Sequence, residues 1–423
     1  MNVMLAPVPL NGTIRAIPSK SHVHRLLICA ALADRSLSLP CRVVSNDIRA
    51  TISCLNALGA HLELEHGGVA VVPIRRAPSS AELDPGESGS TYRFFTPLAA
   101  ALGVDTRFTL HGKLPSRPMD DLWREMEAHG VTIAGKGTEK TTLRGKLTPG
   151  EYRLSGGVSS QFFSGLLFAL PLLDGDSRIV VTDHLESAGY VEMTLAALTA
   201  FGVRAAFDGT AFSIPGNQKY TAPVQLCPEG DWSNSAFWLC AAAARGSMTV
   251  TGLSLPSRQG DSAVVEILRR FGADVTLKGD ALSVSARPLR GVTVDVGETP
   301  DLVPALAVAA VAATGQTVLE NAGRLRLKES DRIATVCAAV NALGGCARDA
   351  GDAIVIEGGA ELRGGVVDAS GDHRIAMLGA MLASQCREPV TILGAQAADK
   401  SYPGFFDDVT ALGGIVTTRG HRR

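Results

Sequence analysis

Eight basic residues stand where a globular chain seldom puts them. Lys20, Arg25, Arg93, Arg117, Lys328, Arg332, Arg374 and Lys400 lie at the starts of apolar segments or in Gly/Pro-rich loops. The apolar segments read as buried helices, whose first turns carry free N–H groups and partial positive charge. Acids usually occupy that end, so Lys or Arg there points to a bound anion. If several such ends converge, the ligand carries several negative charges. Each segment also has a plainer reading. Lys328-Glu-Ser-Asp-Arg332 suits a solvated charge run. Glu87-Ser-Gly-Ser-Thr91 and Ser159-Ser160 suit helix caps, and Asp372-His373-Arg374 suits a buried ion pair at a helix start. His373 has no second His at ligand spacing, and His22 and His24 are two apart, the wrong faces of a helix for one metal.

A repeat positions these residues. Gly59, Gly130, Gly202, Gly272, Gly344 and Gly413 recur at steps of 69 to 72 residues, each closing a phrase such as Leu55-Asn-Ala-Leu58-Gly59 or Leu268-Arg-Arg-Phe271-Gly272. Apolar residues three apart, then Gly, predict the last turn of an amphipathic helix with a glycine C-cap. The period exceeds that of common solenoids, so each repeat is a sizeable α/β piece. Strand pairs follow the glycines: 61–65 with 69–74, and 275–278 with 281–286. Phe207-Asp-Gly-Thr210 and Ala350-Gly-Asp352 mark two more hairpin turns. Each repeat also holds a second helix, apolar on nearly all faces and therefore buried. These six follow Ser19-Lys-Ser21, Ser88-Gly-Ser-Thr91, Val158-Ser-Ser-Gln161, Asp231-Trp-Ser-Asn234, Thr299-Pro-Asp301 and Gly371-Asp-His-Arg374. Three repeats can close one domain, so six make two. The sixth lacks a strand, and the N-terminal residues are expected to supply it. The expected domains are therefore 1–18 with 230–423, and 19–229.

Composition narrows the class. A chain of 423 residues exceeds one usual core. Hydrophobic content of 46% and charged content of 19% fit a packed enzyme and exclude disorder. A net charge of −2 offers no global field for nucleic acid. No apolar segment reaches the length of a membrane span. The eight cysteines show no CxxC pairing and read as reduced thiols. Residues 1–10 lack the pattern of a signal peptide, so a cytoplasmic location is expected.

Read together, Pro18-Ser-Lys-Ser21 with Arg25, Gly86-Glu-Ser-Gly-Ser-Thr-Tyr-Arg93, Arg117-Pro-Met-Asp120, Val158-Ser-Ser-Gln161, Lys328-Glu-Ser-Asp-Arg332, Asp372-His-Arg374 and Lys400-Ser-Tyr-Pro403 resemble the 5-enolpyruvylshikimate-3-phosphate synthase family, nearly end to end. The resemblance implies a two-domain inside-out α/β barrel of six βαβαββ repeats, three per domain. It implies transfer of the enolpyruvyl group of phosphoenolpyruvate to the 5-hydroxyl of shikimate 3-phosphate, with no metal or organic cofactor. It assigns Lys20, Gly89, Arg117, Gln161, Arg332, Arg374 and Lys400 to phosphoenolpyruvate. To shikimate 3-phosphate it assigns Lys20, Ser21, Arg25, Ser159, Ser160, Gln161, Ser187, Tyr190, Asp301 and Lys328. Asp301 and Glu329 become the acid–base candidates, with Lys20 and Lys400 assisting. A monomer is expected, closing around its ligands near 17–18 and 227–230. The chain departs from the commoner pattern at Glu87 and Arg324, where many members carry Asn. It departs also at Phe94, in place of Pro, and at Leu325, in place of an aromatic.

Three rivals carry their own signatures. The sister transferase acting on UDP-N-acetylglucosamine uses a Cys just before the segment matching Arg117, and residues 105–116 contain none. A non-catalytic anion binder gains nothing from acids such as Asp301 and Glu329 among its basic residues. An RNA-end-processing enzyme needs a nucleotide site and a nucleophilic His, and neither is visible.

Overall fold

The computed structural model describes residues 1–419, which form two compact units. One is split in sequence, residues 1–17 with 229–419; the other is continuous, Pro18–Pro228. Each holds three small sheets. Among the described residues, no helix is long and apolar enough to cross a membrane.

One repeat shows the common build. In the continuous unit, strand Ser80–Gly86 leads through helix Gly89–Ala101 to strand Asp105–Leu110, which lies parallel to it. Helix Asp120–Ala128 follows, then the antiparallel pair Val131–Ala134 and Lys140–Gly145. The second strand of that pair docks on Asp105–Leu110. The apolar helix is buried along nearly its whole length, whereas Asp120–Ala128 buries only Leu122, Trp123 and Met126. All six repeat glycines adopt positive φ, between 73° and 98°. That left-handed geometry closes a helix at little cost only when Cβ is absent.

The repeats are not identical. Strand Asn2–Leu5 lies between Val390–Leu393 and Val416–Arg419, antiparallel to both, and completes the sixth repeat. Strand Leu10–Arg15 does something the sequence did not suggest. It pairs in parallel with Gly246–Thr251 and so opens the fourth repeat. The first repeat is left with a three-stranded sheet, plus an isolated bridge from Ala33 to Tyr220.

Buried helices form the interior of each unit. In the split unit, Trp232–Ala244, Val303–Ala312 and His373–Ala383 pack against one another. In the continuous unit, Gly89–Ala101 packs on Ser160–Ala169, and Lys20–Ala31 packs on Asn46–Ala57 and Ala188–Ala200. Gly165 permits the first of these contacts, because a Cβ there would stand 2.4 Å from the Arg93 carbonyl oxygen.

Candidate active site

In the split unit the charged residues gather around one guanidinium. Arg332 opens the helix Arg332–Ala342, capped by Asp331, and is 1% exposed. Its Nε donates to Asp372 Oδ2 at 2.8 Å, its Nη1 to Asp301 Oδ1 at 2.7 Å, and its Nη2 to Glu329 Oε2 at 2.8 Å. Asp372 is fully buried and also caps its own helix, accepting from Arg374 N at 3.0 Å. Ser330 Oγ donates to it at 2.9 Å. The solvated charge run is thus excluded.

Asp301 faces three cations. Besides Arg332, Lys328 Nζ stands 3.5 Å from its Oδ1 and Arg374 Nη2 stands 3.2 Å from its Oδ2. Arg374 Nη1 also donates to the Asp301 carbonyl at 3.1 Å. Asp301 sits in the tight turn Pro300–Leu302 just before the helix Val303–Ala312. Burial would raise its pKa, but Arg374, Lys328 and Arg332 outweigh that and hold it well below the carboxylate range. For Lys328, burial dominates and brings the ammonium down to about 8, with Asp301 opposing and Arg332 and Arg324 assisting. Arg332 is the reverse case. Burial acts against its charge, yet Asp372, Glu329 and Asp301 prevail and raise its pKa.

Three of these helix starts also carry an acid at the cap position. Asp231, Asp331 and Asp372 each accept a first-turn N–H of their own helix, so the positive ends have internal acceptors. Lys400 ends the turn Ala395–Lys400 and is buried; next to it Ser401 Oγ donates to Asn234 Oδ1 at 3.3 Å.

The continuous unit assembles a second set. Lys20 opens the helix Lys20–Ala31, with Ser19 as cap, and pairs with Asp47 at 2.8 Å. Arg25 is 2% exposed. Its Nε donates to Thr194 Oγ1 at 2.8 Å, its Nη1 to the Ser21 carbonyl at 2.7 Å and its Nη2 to the Tyr190 carbonyl at 2.8 Å. Phe94, one of the departures from the family pattern, lies under this guanidinium at 5.2 Å. Burial lowers Arg25 to about 10, which leaves it charged at neutral pH.

Gly89 has a steric reason. A Cβ there would be 2.6 Å from Arg117 Nη1, so only glycine lets that guanidinium lie on the helix start. Gln161 Nε2 donates to Ser90 Oγ at 2.8 Å, while its Oε1 accepts from Arg93 Nη1 at 2.8 Å. Ser159 caps the helix Ser160–Ala169, so its plainer reading holds too. Ser88, not Glu87, caps the helix Gly89–Ala101; the Glu87 carboxylate packs over Gly112. Ser187 takes φ of 55° just before the helix Ala188–Ala200, and the carbonyl of Tyr190, within its first turn, holds Arg25. Asp183 ties the loop 155–157, just before Ser159 in sequence, through Ser155 Oγ, which donates at 2.6 Å, and the Gly156 and Gly157 N–H groups.

Sequence reading missed the partners Asp47, Thr194 and Asp183, and it linked neither Ser90 to Gln161 nor Asp372 to Arg332. Asp372 stood inside a quoted motif, read there as part of a buried ion pair at a helix start. No sequence signal tied it to Arg332, forty positions away. Among the described residues, no group of His, Cys, Asp or Glu could hold a metal ion.

The chain is similar to known proteins over nearly its whole length. A family model described as EPSP synthase (3-phosphoshikimate 1-carboxyvinyltransferase) matches residues 5–409. The 3-phosphoshikimate 1-carboxyvinyltransferase of Clostridium kluyveri is 41% identical over 421 residues, covering 98% of each chain. That of Clostridium novyi is 38% identical over 427 residues, again covering 98% of each. The solved EPSP synthase of Acinetobacter baumannii superposes with a TM-score of 0.83 at 26% identity, over 99% of this chain and 100% of that one. The enolpyruvyl transferase NikO of Streptomyces tendae shares the fold, with a TM-score of 0.78 at 17% identity over 98% of both chains.

Proposed function

The chain belongs to the EPSP synthase family, and from that premise we propose how its own residues transfer the enolpyruvyl group of phosphoenolpyruvate to the 5-hydroxyl of shikimate 3-phosphate. The hydroxyl oxygen bonds to C2 of phosphoenolpyruvate and gives up its proton, while C3 gains one. The tetrahedral intermediate then loses a proton from C3, the bond from C2 to the phosphate oxygen breaks, and phosphate leaves. Asp301 is assigned the hydroxyl proton and Glu329 the C3 proton, with Lys20 and Lys400 assisting. Lys20, Gly89, Arg117, Gln161, Arg332, Arg374 and Lys400 are assigned to phosphoenolpyruvate. Lys20, Ser21, Arg25, Ser159, Ser160, Gln161, Ser187, Tyr190, Asp301 and Lys328 are assigned to shikimate 3-phosphate. Fixed guanidinium and ammonium groups would stabilise the charge that develops on the departing phosphate.

The observation that carries this reading is the Asp301 carboxylate among Lys328, Arg332 and Arg374, with Glu329 on the same guanidinium. Without ligand, Asp301 is strongly ionised and a weak base. An anionic substrate that shares Lys328 and Arg374 would weaken their hold and raise its basicity. A simple anion binder would have no use for two acids there. The expected setting is the cytoplasm, supported by eight free cysteines, and the expected state is a monomer.

The test is a pair of isosteric variants. Asp301→Asn and Glu329→Gln should each lose about a hundredfold or more in turnover, while calorimetric binding of both substrates survives. Near-normal turnover in either removes that residue from the mechanism.

A further inference from the structure

Three helices in the continuous unit are joined by side chains that the proposed reaction does not use. His24 lies on the helix Lys20–Ala31, Thr51 on Asn46–Ala57, and Thr91 on Gly89–Ala101, with Ser88 as the cap of the last. All four are fully buried. His24 Nδ1 is 2.7 Å from Thr51 Oγ1, and Thr51 Oγ1 is 2.8 Å from Thr91 Oγ1. The Thr91 hydroxyl donates to Ser88 Oγ at 2.8 Å, and Ser88 Oγ also accepts the Thr91 N–H at 3.2 Å.

The donors can be ordered from the far end. Thr91 has committed its only hydroxyl proton to Ser88, so it accepts from Thr51. Thr51 has then committed its own, so it accepts from His24. His24 must therefore carry its proton on Nδ1. Its Nε2 is buried without a hydrogen-bond partner. A second proton there would place an unpaired charge in the interior beside Lys20 and Arg25. Burial leads in pulling this imidazole down to about 3, Lys20 and Arg25 add to that, and Asp47 opposes.

We propose that His24 is a positioning residue: a permanently neutral donor that orients a Thr51–Thr91–Ser88 relay. Through it, the start of Gly89–Ala101 is held in register with the helix that carries Lys20 and Arg25. That start presents Gly89, against which Arg117 lies, and Ser90, which fixes Gln161. The inference rests on the reading of Gly89, Arg117 and Gln161 as phosphoenolpyruvate contacts.

Two measurements test it. Nitrogen NMR of the ligand-free wild-type protein should show His24 with a protonated Nδ1 and a bare Nε2, unchanged between about pH 5 and 8. A titrating ring, or a proton on Nε2, overturns the proposal, whatever the enzyme's substrate. In kinetics, His24→Leu and Thr51→Val should each raise KM for phosphoenolpyruvate about tenfold and change kcat less than about twofold. The double variant should be no worse than either single one. His24→Asn, whose Nδ2 can fall near the place of Nδ1, should return KM to within about twofold of wild type. An Asn variant as poor as Leu, multiplying losses, or an effect confined to kcat each overturn the proposal. Should the Leu variant not fold, the wild-type NMR signature and the Asn variant still decide. A wild-type protein with no enolpyruvyl transfer would instead sink the functional reading and leave the NMR result standing.

Discussion

Burial and neighbouring charge act together on the Lys328 ammonium. Burial, opposed by Asp301, brings the group down to about 8, far below an exposed lysine. As pH rises through that value the charge is lost, and with it the attraction proposed above for shikimate 3-phosphate. KM for shikimate 3-phosphate is therefore expected to climb above about pH 8 in the wild type. Lys328→Arg should push that limb to higher pH, because a guanidinium stays charged. A KM that is flat to about pH 9.5 would contradict this. Gly89 supports a second residue-scale prediction. Gly89→Ala puts a methyl group 2.6 Å from Arg117 Nη1, so the guanidinium must move. Steady-state kinetics should show KM for phosphoenolpyruvate rising about tenfold or more, with KM for shikimate 3-phosphate nearly unchanged. Equal losses for both substrates would mean that Arg117 does not serve phosphoenolpyruvate selectively. The basic residues of the site were legible because they interrupt apolar helix starts. Of their acidic partners, Asp301 and Glu329 were named from the family resemblance, but Asp372 and Asp47 were not, since Asp372 reaches Arg332 only through tertiary packing, and Asp47 reaches Lys20 in the same way.

At the scale of elements, the glycine caps carry the clearest expectation. Gly413 has φ of 92° and open space where a methyl group would stand, so Gly413→Ala should cost only backbone strain, about 1–2 kcal/mol. Gly59 has φ of 98°, and the Arg76 carbonyl oxygen would lie 2.8 Å from an added Cβ, so Gly59→Ala should cost more. Chemical denaturation of the two variants checks the order; a Gly413 variant as damaged as the Gly59 variant would contradict it. These caps were readable because helix termination is local: apolar spacing followed by glycine suffices. The hairpins were readable for the same reason, as at Gly279-Asp280 between Asp274–Lys278 and Ala281–Ser285. Strand Leu10–Arg15 was not. Its neighbour Gly246–Thr251 lies more than two hundred residues away, and nothing in an alternating pattern names a partner.

For the molecule as a whole, both ends of the chain meet in one sheet. Strand Asn2–Leu5 donates to and accepts from Val390–Leu393 on one side and Val416–Arg419 on the other. Removing residues 1–6 would leave two facing edges without a partner. Hydrogen exchange should then accelerate in those two strands, while Asp105–Leu110 and Ser177–Val181 in the continuous unit keep their protection. Unchanged exchange in Val390–Leu393 would contradict the pairing.

Enolpyruvyl transfer to shikimate 3-phosphate is tested by phosphate release from phosphoenolpyruvate with shikimate 3-phosphate, run beside a parallel reaction with UDP-N-acetylglucosamine. Release with shikimate 3-phosphate alone, lost in Asp301→Asn, is the predicted result. Release only with the nucleotide sugar, or with neither substrate from folded protein, would contradict it.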